Sequence, residues 1–163
     1  MKNKVFVLST IFILLLAFSM SASAGEKKFL QLSLINPIQL VPETESISGI
    51  RFNLIYGKNT SVSGLDFGLV NHTTSGLTKG YQFGLVGINE GDFMGFQDHF
   101  VNSVKGSCEG FQAGFYNHAG NMNGFQLGFV NHCGTMKGLQ IGLINIIEQN
   151  GQFPVFPIIN WSF

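Results

Sequence analysis

Gly124-Phe125-Gln126-Leu127-Gly128-Phe129-Val130-Asn131, followed after His132-Cys133-Gly134-Thr135-Met136-Lys137 by Gly138-Leu139-Gln140-Ile141-Gly142-Leu143-Ile144-Asn145, is the stretch that decides how this chain folds. In both octets large apolar residues hold positions two, four and six, with Gln and Gly between them. An alternation of period two is the mark of a strand with two unlike faces, whereas a helix would scatter the same residues around its axis. The segment between the octets is polar or small and rich in turn residues, enough to reverse the chain or round a corner. Working outward, the same unit begins at Gly49, Gly64, Gly80, Gly95, Gly110, Gly124 and Gly138, with spacings of 15, 16, 15, 15, 14 and 14 residues. A period of this kind sets the architecture before any single element does.

A unit holding one strand can stack in parallel or alternate in direction. In a parallel β-solenoid each unit makes one coil, and each position lies about 4.8 Å above its equivalent. Asn71, Asn102, Asn117, Asn131 and Asn145 all fall seven residues after the first Gly of their unit, so stacking would align them as a side-chain amide ladder. An antiparallel barrel would send these Asn alternately to opposite rims, and its duplicating element would be a hairpin of twice this length. The spacing therefore predicts an all-β chain, a parallel β-solenoid of about seven coils. The alternative is a small eight-stranded antiparallel outer-membrane β-barrel, supported by Val155-Phe156-Pro157-Ile158-Ile159-Asn160-Trp161-Ser162-Phe163, which alternates apolar residues up to a terminal aromatic. Membrane strands of roughly 9 to 11 residues would leave only about 4 to 6 for each turn. Pro154 and Pro157 would also remove ladder donors from the last strand.

Whichever architecture holds, Phe125, Leu127 and Phe129 should point to one side and Gln126 and Gly128 to the other. For the solenoid the expectation is that the apolar set is buried and a Gly-Gln-Gly-Val face looks outward. On that basis Leu127→Asp should cost several kcal/mol. Asn131→Ala should cost roughly 1 to 3 kcal/mol, and a change at Gln126 should be near neutral. Detergent dependence should separate an apolar-surfaced barrel from a soluble solenoid.

Residues 1–24 read as an export signal: Lys2 and Lys4, an apolar run from Val5 to Phe18, and Ala22-Ser23-Ala24 before Gly25 as the expected mature start. The apolar run is shorter than the roughly 20 residues of a spanning helix. Residues 25–48 are expected to form an N-terminal strand and cap, 49–150 the seven-unit repeat region, and 151–163 a C-terminal cap or terminal strand. Charged residues are 11% of the chain, against roughly 25% in ordinary soluble domains. Without Lys2 and Lys4 the 9 basic residues become 7 against 9 acidic, a balance near −2, so no charge draws nucleic acid to the protein.

Three features, the Gly-(Leu/Phe)-Gln-(Leu/Ile)-Gly-Leu-x-Asn unit, the Pro-Ile-Gln-Leu-Val-Pro-Glu run at 37 to 43 and the ending at 157 to 163, together resemble a family of exported surface-repeat proteins of double-membrane bacteria. The resemblance implies placement at the cell surface or outer membrane, and carries no biochemical activity and no catalytic residues with it. Units three and four depart from the pattern, with Gly87 where Asn is expected and His99 where Gly is expected.

The strong catalytic and metal signatures (nucleophile elbow, phosphate loop, His-Glu-x-x-His, paired Cys-x-x-Cys) do not occur. No catalytic, cofactor-binding or metal residue is assigned, and no cofactor is expected. His118 and His132, one coil apart, would lie about 5 Å from each other, near enough to share a metal, but corner residues bonded to backbone are the simpler reading. Cys108 and Cys133 occupy different columns, so a disulfide is not indicated. Glu90, Asp92, Asp98 and Glu109 form a loose acidic group without the repeated spacing of a calcium roll. Asn59, Asn71 and Asn160 begin glycosylation sequons taken as accidental. The expected function is that of a non-enzymatic exported surface-repeat protein, structural or binding, at the bacterial envelope, its partner an unspecified ligand or envelope component. The alternative is an integral outer-membrane barrel, structural or a narrow pore.

Overall fold

The computed structural model describes residues 28–163, and the assigned export segment with its cleavage before Gly25 lies outside them. The strands are β1 (Lys28–Ile35), β2 (Ile38–Gln39), β3 (Ile47–Asn59), β4 (Val62–Thr73), β5 (Leu77–Asn89), β6 (Asp92–Gln149) and β7 (Val155–Ser162). β6 is one extended run that carries four units, those beginning at Gly95, Gly110, Gly124 and Gly138. Parallel pairing joins β1 to β3, β3 to β4, β4 to β5 and β5 to β6, with Gly49 opposite Gly64, Gly64 opposite Gly80 and Gly80 opposite Gly95. The chain is a parallel β-solenoid. Consecutive strands of an up-and-down barrel pair antiparallel, so the barrel is excluded as the architecture.

Antiparallel pairing is confined to the two ends. β2 lies on β1 through Ser33 and Gln39, and β7 lies on the last unit from Gly138 opposite Ser162 to Ile146 opposite Val155. Both reverse the chain across an edge that would otherwise offer free backbone groups to another molecule. Pro157 fits because β7 has a partner on one side only.

The head glycine of each unit is fixed by the closeness of the coils. Gly124 has φ of 137°, and a Cβ there would fall on the carbonyl oxygen of Gly110 in the coil before it. Only glycine adopts that backbone without strain.

Side chains alternate as the period requires, but the facing is the reverse of the expectation. Phe125, Leu127 and Phe129 are 50%, 47% and 46% exposed, while Gln126 is 1% exposed. The outward face is made of Leu and Phe, and the Gly-Gln-Gly positions look inward. A coil of 14 to 16 residues encloses too little width for opposed Phe and Leu columns. It does accept flat amides, which stack in register and satisfy one another from coil to coil. Beyond the amides, two slender columns complete the core of the later coils: Val104, Ala119, Cys133 and Ile147 in one, Phe93, Cys108, Met122 and Met136 in the other. In the earlier coils Asn59, Thr73 and Asn89 take the place of the first of these columns.

Candidate functional site

The interior holds two amide ladders of opposite polarity. In the first, Gln140 Nε2 donates to Gln126 Oε1 at 2.8 Å, Gln126 to Gln112 at 2.7 Å, Gln112 to Gln97 at 2.8 Å and Gln97 to Gln82 at 2.8 Å. Gln82 then donates to Asp66 Oδ2 at 2.7 Å. Asp66 is in turn gripped by Arg51, whose Nε and Nη2 each lie 2.7 Å from one carboxylate oxygen. A carboxylate only accepts, so its place at this end obliges every amide above it to donate downward. The column reads Gln31, Arg51, Asp66, Gln82 and onward, with one buried ion pair set into a line of glutamines.

The second ladder donates the other way. Asn53 donates to Asn71 at 2.7 Å; further on, Asn102 donates to Asn117, Asn117 to Asn131 and Asn131 to Asn145, each at 2.8 Å. The Asn column thus forms the amide ladder its constant spacing predicts. Between Asn71 and Asn102 the column meets Gly87, and the link is made by His99 of the next unit. Asn71 Nδ2 lies 3.0 Å from His99 Nε2, and His99 Nδ1 lies 2.8 Å from Asn102 Oδ1. A Cβ on Gly87 would press into that imidazole ring. The two irregular units are therefore one compensated substitution, and His99 is a splice in the ladder.

Ladder polarity also assigns the tautomer of His99: Nε2 accepts from Asn71 and Nδ1–H donates to Asn102. A second proton would set an N–H against the Asn71 amide donor. Burial lowers the pKa of His99 below its ordinary 6.5, against a smaller upward pull from the Asn102 hydrogen bond. The folded state then binds fewer protons than the unfolded chain, so this contribution is complete above 6.5 and declines as pH falls from there toward the folded value. Half-buried His118, also lowered mainly by burial, adds in the same direction. Thermal melts between about pH 7.5 and about pH 5 should show this loss. The double variant Gly87→Asn, His99→Gly, which restores a plain column, should lose less over the same range; an unchanged acid slope in that variant would rule out the splice as its source.

The other residues singled out by sequence do not assemble into a ligand-holding cluster. His118 and His132 do sit one coil apart, ring centroids at 5.1 Å, but His132 spends Nε2 on Glu148 at 2.8 Å. Among the described residues no three His, Cys, Asp or Glu side chains come together as metal ligands would. Glu90 bonds His72 at 3.0 Å and Lys105 at 3.3 Å, and its pKa is lowered chiefly by the His72 hydrogen bond. Asp92 accepts from the Ser107 N–H at 2.8 Å, and Asp98 stands alone on the outward strand face, opposite Phe83 in the register. Cys108 and Cys133 are free and buried, and burial pushes both thiols up to about 12. Asn59, Asn71 and Asn160 are buried, so none of the three sequons presents its Asn to solvent.

What the molecule offers to its surroundings is the outward side of the strands. Leu65, Leu69, Phe83, Leu85, Phe100, Phe115, Phe125, Leu127, Phe129, Ile141 and Leu143 are all exposed along it. Neighbouring rings stack up the axis, with Phe96 and Phe111 at 5.0 Å, and Phe100, Phe115 and Phe129 at successive spacings of 4.9 Å. Sequence reasoning missed this face because large apolar residues were assigned to the core. The signal that could have found it is the variation at positions two and four, filled by Ile, Leu, Tyr, Phe, Ala and Asp, beside position three, which is Gln in each of the last five units. Comparison of the chain with described families, with curated proteins and with solved structures finds no match.

Proposed function

We propose that this is a non-enzymatic β-repeat protein of the bacterial cell envelope, exported through the inner membrane, whose outward strand face serves as a structural or binding surface. The observation that supports the reading is the apolar face carried from coil to coil, interrupted by charge only at Asp98. β1 and β7 prolong it, since Leu30 and Leu32 align with Ile50 and Phe52, and Ile159 and Trp161 align with Ile141 and Leu139. Strands spaced by about 4.8 Å and roughly six residues wide make it on the order of 700 Å². The largest apolar patch of a typical monomer is about 300 to 600 Å², and larger ones mark interaction surfaces. Detergent dependence no longer separates this solenoid from a barrel, because both show Leu and Phe outside.

The test is fractionation of cells making the protein, with the mass of the recovered chain measured. Recovery in the envelope with Gly25 as the first residue is the expected result. A cytoplasmic chain that retains Met1 overturns the reading.

A further inference from the structure

We infer that the outward apolar face docks on a lipid bilayer surface, the solenoid lying on the membrane with its strands flat against the headgroup layer. The inference rests on the envelope reading above and names the partner of that face. Three observations point to lipid.

The first is amphipathicity about the solenoid axis. Outward positions two, four and six of the units are apolar except for Asp98, whereas the charged groups His72–Glu90–Lys105 and His132–Glu148 belong to the remaining sides of the coils. A body with one apolar and one polar side lies in an interface plane, its apolar side entering the headgroup and acyl boundary by about 5 to 10 Å. Outward Phe and Leu side chains reach that depth from a flat sheet, and no span is required.

The second is the placement of Asp98, the single charged side chain among positions two, four and six of the seven units, the columns that form this face. Its unit is at the middle of the stack, with β1 and the units at Gly49, Gly64 and Gly80 on one side, and the units at Gly110, Gly124 and Gly138 and β7 on the other. Position four is also the middle of the three outward columns. If two copies met face to face with their faces fully overlapped, an in-plane twofold axis through the centre would bring the two Asp98 carboxylates together in a dry interface, and like charges juxtaposed without water are strongly unfavourable. A second copy is therefore the disfavoured occupant.

The third is the shape around that carboxylate. Asp98 is short and Ala113, its equivalent in the next coil, is shorter, so the face is notched there. The Phe96–Phe111 stack lies on one side of the notch and the Phe100–Phe115 stack on the other. The carboxylate remains at headgroup level, in reach of a lipid amine, while the rings beside it enter the acyl boundary.

Exported protein, purified as the cell makes it, is mixed with vesicles of equal parts phosphatidylcholine and phosphatidylethanolamine and floated on a density gradient. The protein should float, and raising salt from about 0.1 M to about 1 M should not release it, because burial and not surface charge holds it. The variant Leu127→Asp, Phe129→Asp should bind at least about tenfold more weakly, two large apolar groups having been lost from the contact. Its circular-dichroism melt should stay close to that of the parent. A second readout needs no variant: Trp161, the only tryptophan, is aligned with Leu139 on this face, so brominated acyl chains should quench its fluorescence. The inference is overturned by protein that stays at the bottom of the gradient, by Trp161 emission that brominated lipid leaves unchanged, by a double variant that floats like the parent, or by a stable dimer that forms without vesicles and hides the face. Vesicle binding by a protein found in the cytoplasm would leave this inference standing and remove the envelope reading.

Discussion

Asp66→Ala is expected to lower the unfolding free energy by about 3 to 5 kcal/mol, measured by chemical denaturation, because it removes one partner of a buried ion pair. Arg51 Nε and Nη2 would lose both carboxylate oxygens, leaving a guanidinium with only Asn59 Oδ1 at 3.2 Å and the His72 carbonyl at 3.0 Å. Gln82 Nε2 would lose its 2.7 Å acceptor and keep only Asn89 Oδ1 at 3.5 Å, so the defect reaches the foot of the glutamine ladder. The informative control is the double change Arg51→Gln, Asp66→Gln. It removes both charges and continues the amide column between Gln31 and Gln82, so it should return to within about 1 kcal/mol of the parent, as buried pairs often do when replaced together. If Asp66→Ala alone costs less than about 1 kcal/mol, the ion pair is not what terminates the ladder.

The second large effect reverses the ranking that the sequence alone suggests. Gln126→Ala should cost about 2 to 4 kcal/mol, since it breaks two ladder bonds and leaves the Gln112 oxygen and the Gln140 amide short of a partner. Asn131→Ala, in the other ladder, should fall near the lower half of that range for the same reason. Leu127→Asp, at a half-exposed position of the outward face, should change the melt by no more than about 1 kcal/mol. Thermal melts of the three variants side by side decide the matter. A Leu127→Asp variant less stable than Gln126→Ala would mean that the apolar set is the core after all.

Much of the architecture is legible in the primary structure, and the reason is periodicity. Seven recurrences of Gly at 14 to 16 residues give the coil, and the constant offset of Asn71, Asn102, Asn117, Asn131 and Asn145 gives parallel stacking and the ladder they form. The adjacency of His118 and His132, and the separation of Cys108 from Cys133, follow from the same column arithmetic. What periodicity cannot report is which of two alternating faces is inside. Hydrophobicity ordinarily answers that question, and here it misleads, because a narrow coil selects for residues that stack identically. Gln recurs at 82, 97, 112, 126 and 140 without substitution, while its neighbours vary freely in size. Uniformity, not apolarity, is the trace of the interior in such a chain. The role of His99 could be seen only once its ring was placed against Gly87, since the two are twelve residues apart and neither is informative alone.

The opposed ladders also bear on how this protein can change its length. Every plain unit brings one amide donor and one amide acceptor to each column, with the same polarity as the unit it follows. Adding or deleting a whole unit between Gly110 and Gly138 would therefore leave the number of unmatched groups inside the molecule unchanged, since Asp66 at one end and β7 at the other remain where they are. Stability in stacked-repeat proteins is close to a sum over neighbours, so such a change scales the molecule without altering its kind. A partial unit would shift every amide out of line. Growth and shrinkage in steps of one complete coil are thus the cheap variations open to this fold, and the breadth of its outward face is a quantity that duplication can tune.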